Sequence, residues 1–277
     1  MVIPQETYSK ELFPNGRWLL CCPDHYGIKY EINPWMNLQN TANSKLAWCQ
    51  WKGLHHAILR LGGWVEYVEQ FESSPDMVFT ANGGLVSGNT ALLAKFKYPE
   101  RRGEEAGFRK WFIEHGFNVV ELGTDGYFEG EGDALFAGET LFCGYGFRSD
   151  KVVYSKVAEL LKIKKIILCE LVDPYFYHLD TCFAPLNERQ ALIWPKAFSP
   201  ESIKNIEKEI ELIAVSEAEA RLFCCNLVVL GKGVILPAGA ELVAAELGRR
   251  GFEPHQVELS EFIKAGGAAK CLTLRLG

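Results

Sequence analysis

The 277-residue sequence lacks most of the features that mark membrane, secreted and nucleic-acid-binding proteins. It has no run of about 18 consecutive apolar residues, the minimum for a membrane-spanning helix. Its first residues, MVIPQETYSK, contain neither a basic segment nor an apolar targeting segment. The formal net charge is -6, so we expect no basic stripe for nucleic-acid backbones or anionic membranes. These absences favour a cytoplasmic protein that acts on a small molecule.

A disulfide framework and a zinc site are also not expected. The nine cysteines are odd in number and scattered, and no two of them form a Cys-x-x-Cys pair. The adjacent pairs Cys21-Cys22 and Cys224-Cys225 would point to opposite faces of a strand. We therefore expect reduced cysteines that are mostly small core residues, no metal and no cofactor.

The residues that are present have the composition of a globular protein, with 48% hydrophobic and 23% charged side chains. Apolar, β-prone runs alternate with segments whose apolar residues recur every three or four positions, which predicts an α/β or α+β fold. The predicted helices are 44–71, 104–115, 151–161, 200–208 and 240–250. The predicted strands are 17–22, 77–80, 118–122, 140–143, 165–171, 190–194, 226–230 and 271–276. Because the helices begin about 40 to 60 residues apart, the pattern favours one unit used five times within a single domain, 1–277.

A further predicted strand, 175–185, carries His178 and Asp180 on one face, because side chains alternate along a strand. The two residues would place a base and an acid together. One alternative is a hydrogen-bonded polar pair at the end of a strand. Another is an iron site with His255 as the third ligand, although it leaves Cys271 without a role.

Three carboxylates, those of Glu129, Glu131 and Asp133, lie within five residues and alternate with glycines. Glycine permits close approach of the backbone, so this loop can press carboxylates against a bound guanidinium group or a metal ion. The spacing does not match an EF-hand loop. A solvated acidic turn is the alternative.

Three more segments carry candidate residues. A predicted strand through Phe79 would deliver Asn82 to a site at its end, or lead into a plain turn. Arg148 lies between a strand and a helix and suits a substrate carboxylate, or else a surface position at the start of the helix. Cys271 follows the small-residue loop 266–269 at the beginning of a strand, an exposed position that favours a reactive thiol.

Taken together, these segments resemble the amidinotransferase superfamily of guanidine-modifying enzymes, and most of all the dimethylarginine dimethylaminohydrolases and the cyanobacterial-type arginine dihydrolases. The resemblance is carried by Phe79-Thr-Ala-Asn82, Phe128-Glu129-Gly-Glu-Gly-Asp133, Gly146-Phe-Arg148, His178-Leu-Asp180-Thr, Gly-Gly-Ala-Ala-Lys-Cys271 and Tyr30-Glu-Ile-Asn33-Pro-Trp-Met. It spans nearly the whole chain. It implies a pentein fold, a five-bladed pseudo-symmetric α/β propeller of ββαβ units around a central pocket.

The resemblance also implies roles for individual residues. Cys271 would attack the guanidine carbon and form a covalent thiouronium intermediate, with His178 acting first as an acid and then as a base. Glu129 would complete the catalytic set, and motif alignment alone selects it over Glu131. The implied substrate-binding residues are Asn82, Asp180, Arg148, Asn33 and Phe79.

Asn82 departs from the pattern of deiminases and many dimethylargininases, which have an aspartate at this position. Because an amide both donates and accepts hydrogen bonds, it can hold a urea such as citrulline, and a second hydrolysis would then give ornithine. We therefore expect arginine to be converted to ornithine, carbon dioxide and ammonia by way of citrulline. The leading alternative is hydrolysis of N-methylated arginine to citrulline and a methylamine.

An alternative from a different class is a non-catalytic binding role, because the superfamily's fold also serves as a ribosome-associated translation factor. The complete set of cysteine, histidine and acidic residues argues against it. The expected partner is a small guanidine compound, arginine or methylarginine, with no nucleic acid and no membrane. A homo-oligomer is compatible with the sequence.

Overall fold

Five three-stranded sheets form the β-structure of the computed structural model, which describes residues 14–123 and 125–277. In each sheet the middle strand is antiparallel to one neighbour and parallel to the other. Parallel strands need a crossover connection, and a helix supplies it in every unit. Each unit is therefore built from β-strands and one crossover helix, and we call the units blades 1 to 5.

The strands are β1 (Arg17–Cys21), β2 (Trp64–Val68), β3 (Gly84–Ser87), β4 (Thr90–Leu93), β5 (Asn118–Val120), β6 (Ala134–Ala137), β7 (Thr140–Tyr145), β8 (Lys165–Glu170), β9 (Phe183–Pro185), β10 (Gln190–Ile193), β11 (Glu211–Ala214), β12 (Val228–Leu230), β13 (Gly233–Pro237), β14 (Glu253–Val257) and β15 (Leu274–Arg275). The helices are α1 (Ser44–Arg60), α2 (Glu104–Glu114), α3 (Tyr154–Leu160), α4 (Pro200–Glu207), α5 (Glu217–Ala220), α6 (Glu241–Arg249) and α7 (Ser260–Ile263). None of the helices in the described ranges is long and apolar enough to cross a membrane.

Blade 1 joins the two ends of the described chain. Strand β15 pairs antiparallel with β1, with Trp18 opposite Arg275 and Leu19 opposite Leu274. The other four blades follow in sequence order, from β3-β4-β5 to β12-β13-β14. The predicted α/β fold with a unit used five times is confirmed, and the last strand completes the first blade.

The predicted helices match the structure within a few residues, except that the first predicted helix, 44–71, is too long. Helix α1 ends at Arg60, and Trp64–Val68 forms β2. Gly62 has a φ of 76°, a left-handed conformation that ends a helix and that glycine adopts without strain. The apolar residues beyond Gly62 therefore belong to a strand.

Two predicted strands, 77–80 and most of 175–185, are wrong. The chain there forms short 3-10 turns, Pro75–Val78, Thr80–Gly83, Pro174–Phe176 and Leu179–Thr181, and only Phe183–Pro185 is extended. Residues 75–83 are buried without exception. A fully buried segment has no exposed face and therefore no polar period, whatever its conformation, so a short apolar run alone does not distinguish a buried turn from a strand.

Three of the short turns position the candidate site. Turns Thr80–Gly83, Gly130–Gly132 and Leu179–Thr181 end within two residues of the first strands of blades 2, 3 and 4, and Gly130–Gly132 packs against the other two. Side chains at these turns therefore converge although they are about 50 residues apart in sequence.

Candidate active site

Phe79, Glu129 and His178 occupy equivalent positions in three blades. Each one directly precedes a 3-10 turn, and its carbonyl oxygen accepts a hydrogen bond from the amide three residues later, at 3.1 to 3.2 Å. The structure thus delivers an aromatic ring, a carboxylate and an imidazole from the same place in three successive units.

Glu129 is fully buried and joins two of the predicted site residues. Its Oε2 lies 2.8 Å from His178 Nε2 and accepts a hydrogen bond from Arg148 Nη1 at 3.0 Å. Burial alone would raise the pKa of Glu129, but the Arg148 guanidinium and the His178 ring outweigh it and hold the pKa below its ordinary value. Glu129 is therefore an ionised carboxylate that fixes the His178 ring.

Glu131 faces a different set of partners. Its Oε2 pairs with Lys270 Nζ at 2.7 Å and accepts a hydrogen bond from the backbone amide of Arg275 at 3.0 Å. The structure thus brings Glu129 to His178 and places Glu131 in a separate ion pair.

Cys271 is buried, with 3% of its surface exposed, so the expected exposed position is wrong. It lies in the turn 269–272, before β15. A Cβ atom on Gly267 would come within 2.7 Å of the Phe79 ring and 3.1 Å of Cys271 Cβ. The small residues of loop 266–269 therefore allow the thiol to pack into the interior and do not indicate an exposed cysteine.

Two polar side chains contact the thiol of Cys271. Its Sγ donates to Asp180 Oδ2 at 3.2 Å and accepts from Asn226 Nδ2 at 3.1 Å. Burial raises the pKa of Cys271 well above its ordinary value, and the neighbouring Asp180 raises it further. In the ligand-free protein the thiol is therefore protonated at neutral pH.

Asp180 is also fully buried, and its second oxygen, Oδ1, has no hydrogen-bond partner among the described residues. Burial raises the pKa of Asp180 to about 7, although Lys270 acts in the opposite direction. An acceptor left unpaired in the interior is costly, so the carboxyl is suited to receive an N–H donor from a ligand.

Asn226 was not predicted from the sequence. Besides its bond to Cys271 Sγ, its Nδ2 donates to the carbonyl oxygen of Asp180 at 3.0 Å. Its Oδ1 accepts from the backbone amides of Ala268 and Cys271 at 3.0 and 3.1 Å. Asn226 thus ties the cysteine turn to the Asp180 turn. The sequence position of Asn226 could have indicated it. Asn226 lies shortly before β12, the first strand of blade 5, just as Asn82 and Asp180 lie shortly before β3 and β9, the first strands of blades 2 and 4.

Asp133, the third carboxylate of the acidic loop, ties two segments of the site together. Its Oδ1 accepts from the backbone amide of Leu179, and its Oδ2 accepts from that of Ser149, each at 3.1 Å. These residues directly follow His178 and Arg148. The acidic loop is therefore a buried connector, and the alternative of a solvated turn is wrong.

Arg148 is 2% exposed and lies between the rings of Tyr98 and Tyr177, each centred 4.6 Å from its Cζ. Besides the ion pair with Glu129, its Nη2 donates to the carbonyl oxygen of Ile32 at 3.1 Å. The alternative of a surface position at a helix start is wrong.

The side chain of Asn33, which was predicted to bind substrate, forms hydrogen bonds with the protein backbone. Its Nδ2 donates to the carbonyl oxygen of Ala265 at 3.0 Å, and its Oδ1 accepts from the backbone amides of Trp35 and Met36. It therefore fastens the loop around residue 33 to the segment that precedes Cys271.

Asn82 is buried in the turn Thr80–Gly83, and its two amide atoms have different surroundings. Its Oδ1 accepts from Arg101 Nη1 at 2.7 Å, while its Nδ2 has no partner in the described part of the chain. Arg101 was not predicted from the sequence, where it is one of two adjacent arginines in an ordinary charged run.

No group of three or more histidine, cysteine, aspartate or glutamate side chains suited to a metal occurs in residues 14–123 and 125–277. His255 lies on β14, an edge strand of blade 5. The structure does not bring together the His-x-Asp…His iron site.

A family model described as N,N dimethylarginine dimethylhydrolase, eukaryotic, matches residues 29–276. The bifunctional arginine dihydrolase/ornithine cyclodeaminase of Synechocystis is 44% identical over 267 residues, 94% of this chain and 37% of the relative. The dimethylarginine dimethylaminohydrolase of Mycobacterium tuberculosis is 40% identical over 261 residues, 94% of this chain and 85% of the relative. The chain thus spans little more than a third of the first relative and most of the second.

Solved structures agree with these matches. The product-bound N-terminal domain of a cyanobacterial arginine dihydrolase superposes with a TM-score of 0.90 at 43% identity, covering 94% of this chain and 97% of that domain. A dimethylarginine dimethylaminohydrolase at 19% identity shares the fold with a TM-score of 0.77. The predicted pentein propeller and the resemblance to guanidine-modifying enzymes are confirmed, and the chain belongs to the N,N-dimethylarginine dimethylhydrolase family.

Proposed function

We propose that this protein hydrolyses arginine twice, first to citrulline and ammonia and then to ornithine, carbon dioxide and ammonia. The observation that carries the proposal is a pair of buried polar atoms left unpaired at the turns of the site, one on the amide of Asn82 and one on the carboxyl of Asp180. Asn82 Nδ2 and Asp180 Oδ1 are both buried without a partner among the described residues. One free donor and one free acceptor match the oxygen and the N–H groups of a ureido group.

The relatives support this proposal. The Synechocystis protein is named as an arginine dihydrolase, and the matching domain alone has been crystallised with its product. A cysteine-to-serine variant of that domain binds substrate, and an asparagine-to-serine variant is covalently bound to a reaction intermediate. A cysteine and an asparagine are the two residues that the proposal makes central here, Cys271 and Asn82.

The first chemical step is attack by the Cys271 thiolate on the guanidine carbon. Because burial and Asp180 keep the free thiol protonated, the thiolate needs a positive charge beside it. In the first round the substrate guanidinium supplies that charge and donates N–H groups to Asp180 Oδ1, while the thiol proton passes to Asp180 Oδ2, its hydrogen-bond partner. In this first round, formation of the nucleophile is thereby coupled to binding of the cationic substrate.

His178 moves the protons. Glu129 is bound to His178 Nε2 and fixes the ring, which leaves Nδ1 for proton transfer. His178 protonates the departing ammonia as the C–N bond breaks, and then accepts a proton from the water that releases the covalent intermediate from sulfur. In the second round the ureido group is neutral, and protonated His178 supplies the positive charge beside the thiolate. The bond to the side-chain nitrogen breaks and ornithine leaves, and water then releases the carbamoyl group from sulfur as carbamate, which decomposes to carbon dioxide and ammonia.

A second candidate is hydrolysis of N-methylated arginine to citrulline and a methylamine. The family model and the Mycobacterium tuberculosis relative, 85% of which this chain covers, favour it. The same cysteine, histidine and carboxylates perform this chemistry, which stops at citrulline. The two candidates therefore differ in the second hydrolysis.

Product analysis by mass spectrometry separates the candidates. The protein is incubated with arginine, citrulline or asymmetric dimethylarginine, and the products are quantified. Ornithine from arginine is the expected result, and citrulline as the sole end product would contradict the proposal. Cys271→Ser should abolish turnover, whereas Cys49→Ser, at an exposed cysteine on α1, is the matched control and should leave it unchanged.

A further inference from the structure

The amide of Asn226 is held in one orientation by the protein backbone. Its Oδ1 accepts from the backbone amides of Ala268 and Cys271 at 3.0 and 3.1 Å, and the side chain is fully buried. A backbone amide only donates, so the side-chain atom that faces both of them is the oxygen. The direction of the NH₂ group is therefore set by the protein itself and needs no substrate.

Each of the two N–H bonds of this NH₂ group has an acceptor. Asn226 Nδ2 lies 3.0 Å from the carbonyl oxygen of Asp180 and 3.1 Å from Cys271 Sγ. One N–H satisfies the carbonyl oxygen, so the other is available to the sulfur. The structure thus directs a fixed donor at the atom that the proposed function makes the nucleophile.

The two polar side chains at the sulfur have opposite effects on its charge. Asp180 Oδ2 accepts from the thiol at 3.2 Å, and an ionised carboxylate at this distance disfavours a thiolate. Burial and Asp180 raise the pKa of Cys271, whereas hydrogen bonds from the backbone of Ala268 and the side chain of Asn226 lower it. A hydrogen bond to an ionised acceptor is about twice as strong as one to a neutral acceptor, so the bond from Asn226 to the sulfur strengthens when the thiol proton leaves.

The proposed reaction forms the thiolate repeatedly, before each attack and again when water releases each covalent intermediate. The substrate guanidinium offers a positive charge only in the first round, whereas the Asn226 donor belongs to the protein and is present in both. We propose that Asn226 is a catalytic residue whose Nδ2–H group stabilises the Cys271 thiolate in both rounds of the reaction. It donates a hydrogen bond and neither gains nor loses a proton. This inference rests on the proposed function, which assigns Cys271 as the nucleophile.

A titration of the Cys271 thiol without substrate tests the inference. The thiolate is followed by its ultraviolet absorbance from about pH 7 to about pH 11, as far as circular dichroism shows the native fold. Subtracting the signal of the same protein with Cys271→Ser removes the contribution of the other cysteines. Asn226→Ala lacks the donor, so the pH at which the Cys271 thiolate appears should rise by about one unit, and turnover of arginine should fall about tenfold.

The direction of the shift distinguishes a donor from a purely structural role. If Asn226 only held the two turns together, its loss would loosen them and let water reach the thiol, so the titration would move to lower pH. A shift to lower pH, or no shift, would overturn the inference. The matched control is Asn187→Ala, because the exposed Asn187 also accepts from two backbone amides, those of Arg189 and Gln190. It should leave the Cys271 titration and turnover unchanged.

If Asn226→Ala does not fold, Asn226→Asp replaces it, since an oxygen of the new side chain still accepts from both backbone amides while the N–H donor is lost. The Cys271 titration should again move to higher pH, and an unchanged or lower value overturns the inference. Wild-type protein that makes no ornithine would overturn the proposed second hydrolysis. The titration needs no substrate, so it decides the role of Asn226 separately from that outcome.

Discussion

The buried carboxyl of Asp180 allows a test of the site that needs no substrate. Burial raises the pKa of Asp180 from 3.8 to about 7. An acid whose pKa is higher in the folded protein binds its proton more tightly there, so the free energy of unfolding falls as the pH rises from about 4 to about 7. At higher pH the folded protein carries the full cost of an ionised carboxylate in its interior.

Asp180→Asn removes this cost, because the amide carries no charge. A shift of about three pKa units, at about 1.4 kcal/mol each, costs about 4 kcal/mol at pH 8. At about pH 5 the pH is only about one unit above the ordinary pKa of 3.8, so the cost is about 1.5 kcal/mol. The variant should therefore gain about 2 to 3 kcal/mol more stability at pH 8 than at pH 5, while losing turnover.

Urea unfolding of wild-type and variant protein at both pH values measures this difference. Changes in hydrogen bonding to Cys271 act at both pH values and cancel in the comparison. Asp24→Asn, at an exposed aspartate, is the control and should change stability little at either pH. An Asp180→Asn gain of the same size at pH 5 and pH 8 would refute the reasoning, because the charge of Asp180 would then not be the cause.

Three further variants or reagents test the site. Gly132→Ala would place a methyl group 2.3 Å from Asn82 Nδ2, so kcat/KM should fall about 100-fold with only a small change in melting temperature; unchanged kinetics would contradict this packing. Glu129→Gln leaves the buried Arg148 without its ion-pair partner and should destabilise the protein by about 3 to 5 kcal/mol in denaturant titration. Because burial raises the pKa of Cys271, alkylation of the free protein by iodoacetamide should be slow at pH 7 and accelerate toward higher pH, as followed by peptide mass spectrometry. Rapid, pH-independent labelling of this thiol would contradict its protonated resting state.

The five-unit fold could be predicted because apolar periodicity reports burial, and burial recurs in every unit. Helices α2 to α4 and α6 have a clear three-to-four spacing and were placed within a few residues. Two of the three turns that carry the site were predicted as strands, because the residues around Asn82 and Asp180 are buried and their sequence has no polar period that would mark an exposed face. Periodicity distinguishes elements with one exposed face, and these turns have none.

The residues that form the site were easier to predict than the contacts between them. His178 and Asp180 were expected to share a strand face, yet they reach different partners: His178 contacts Glu129, and Asp180 contacts Cys271. A 3-10 turn rotates successive side chains by about 120°, so two residues two positions apart diverge where a strand would align them. The choice of partners thus depends on turn geometry that the sequence pattern did not reveal.

Asn226 shows that the repeat in this fold lies in the backbone position of a residue relative to the next strand, not in its identity. Phe79, Glu129 and His178 are equivalent in backbone position but share no chemistry, so residue identity hides the repeat. The backbone repeats because each blade buries a first strand after its turn, whereas the side chains at the equivalent positions have different partners. A comparison of polar residues by their distance from the next strand would align Asn82 with Asn226, two residues before β3 and β12. Asn82 Nδ2 has no partner among residues 14–123 and 125–277, whereas Asn226 uses both its oxygen and its nitrogen to hold Cys271 and Asp180 in place.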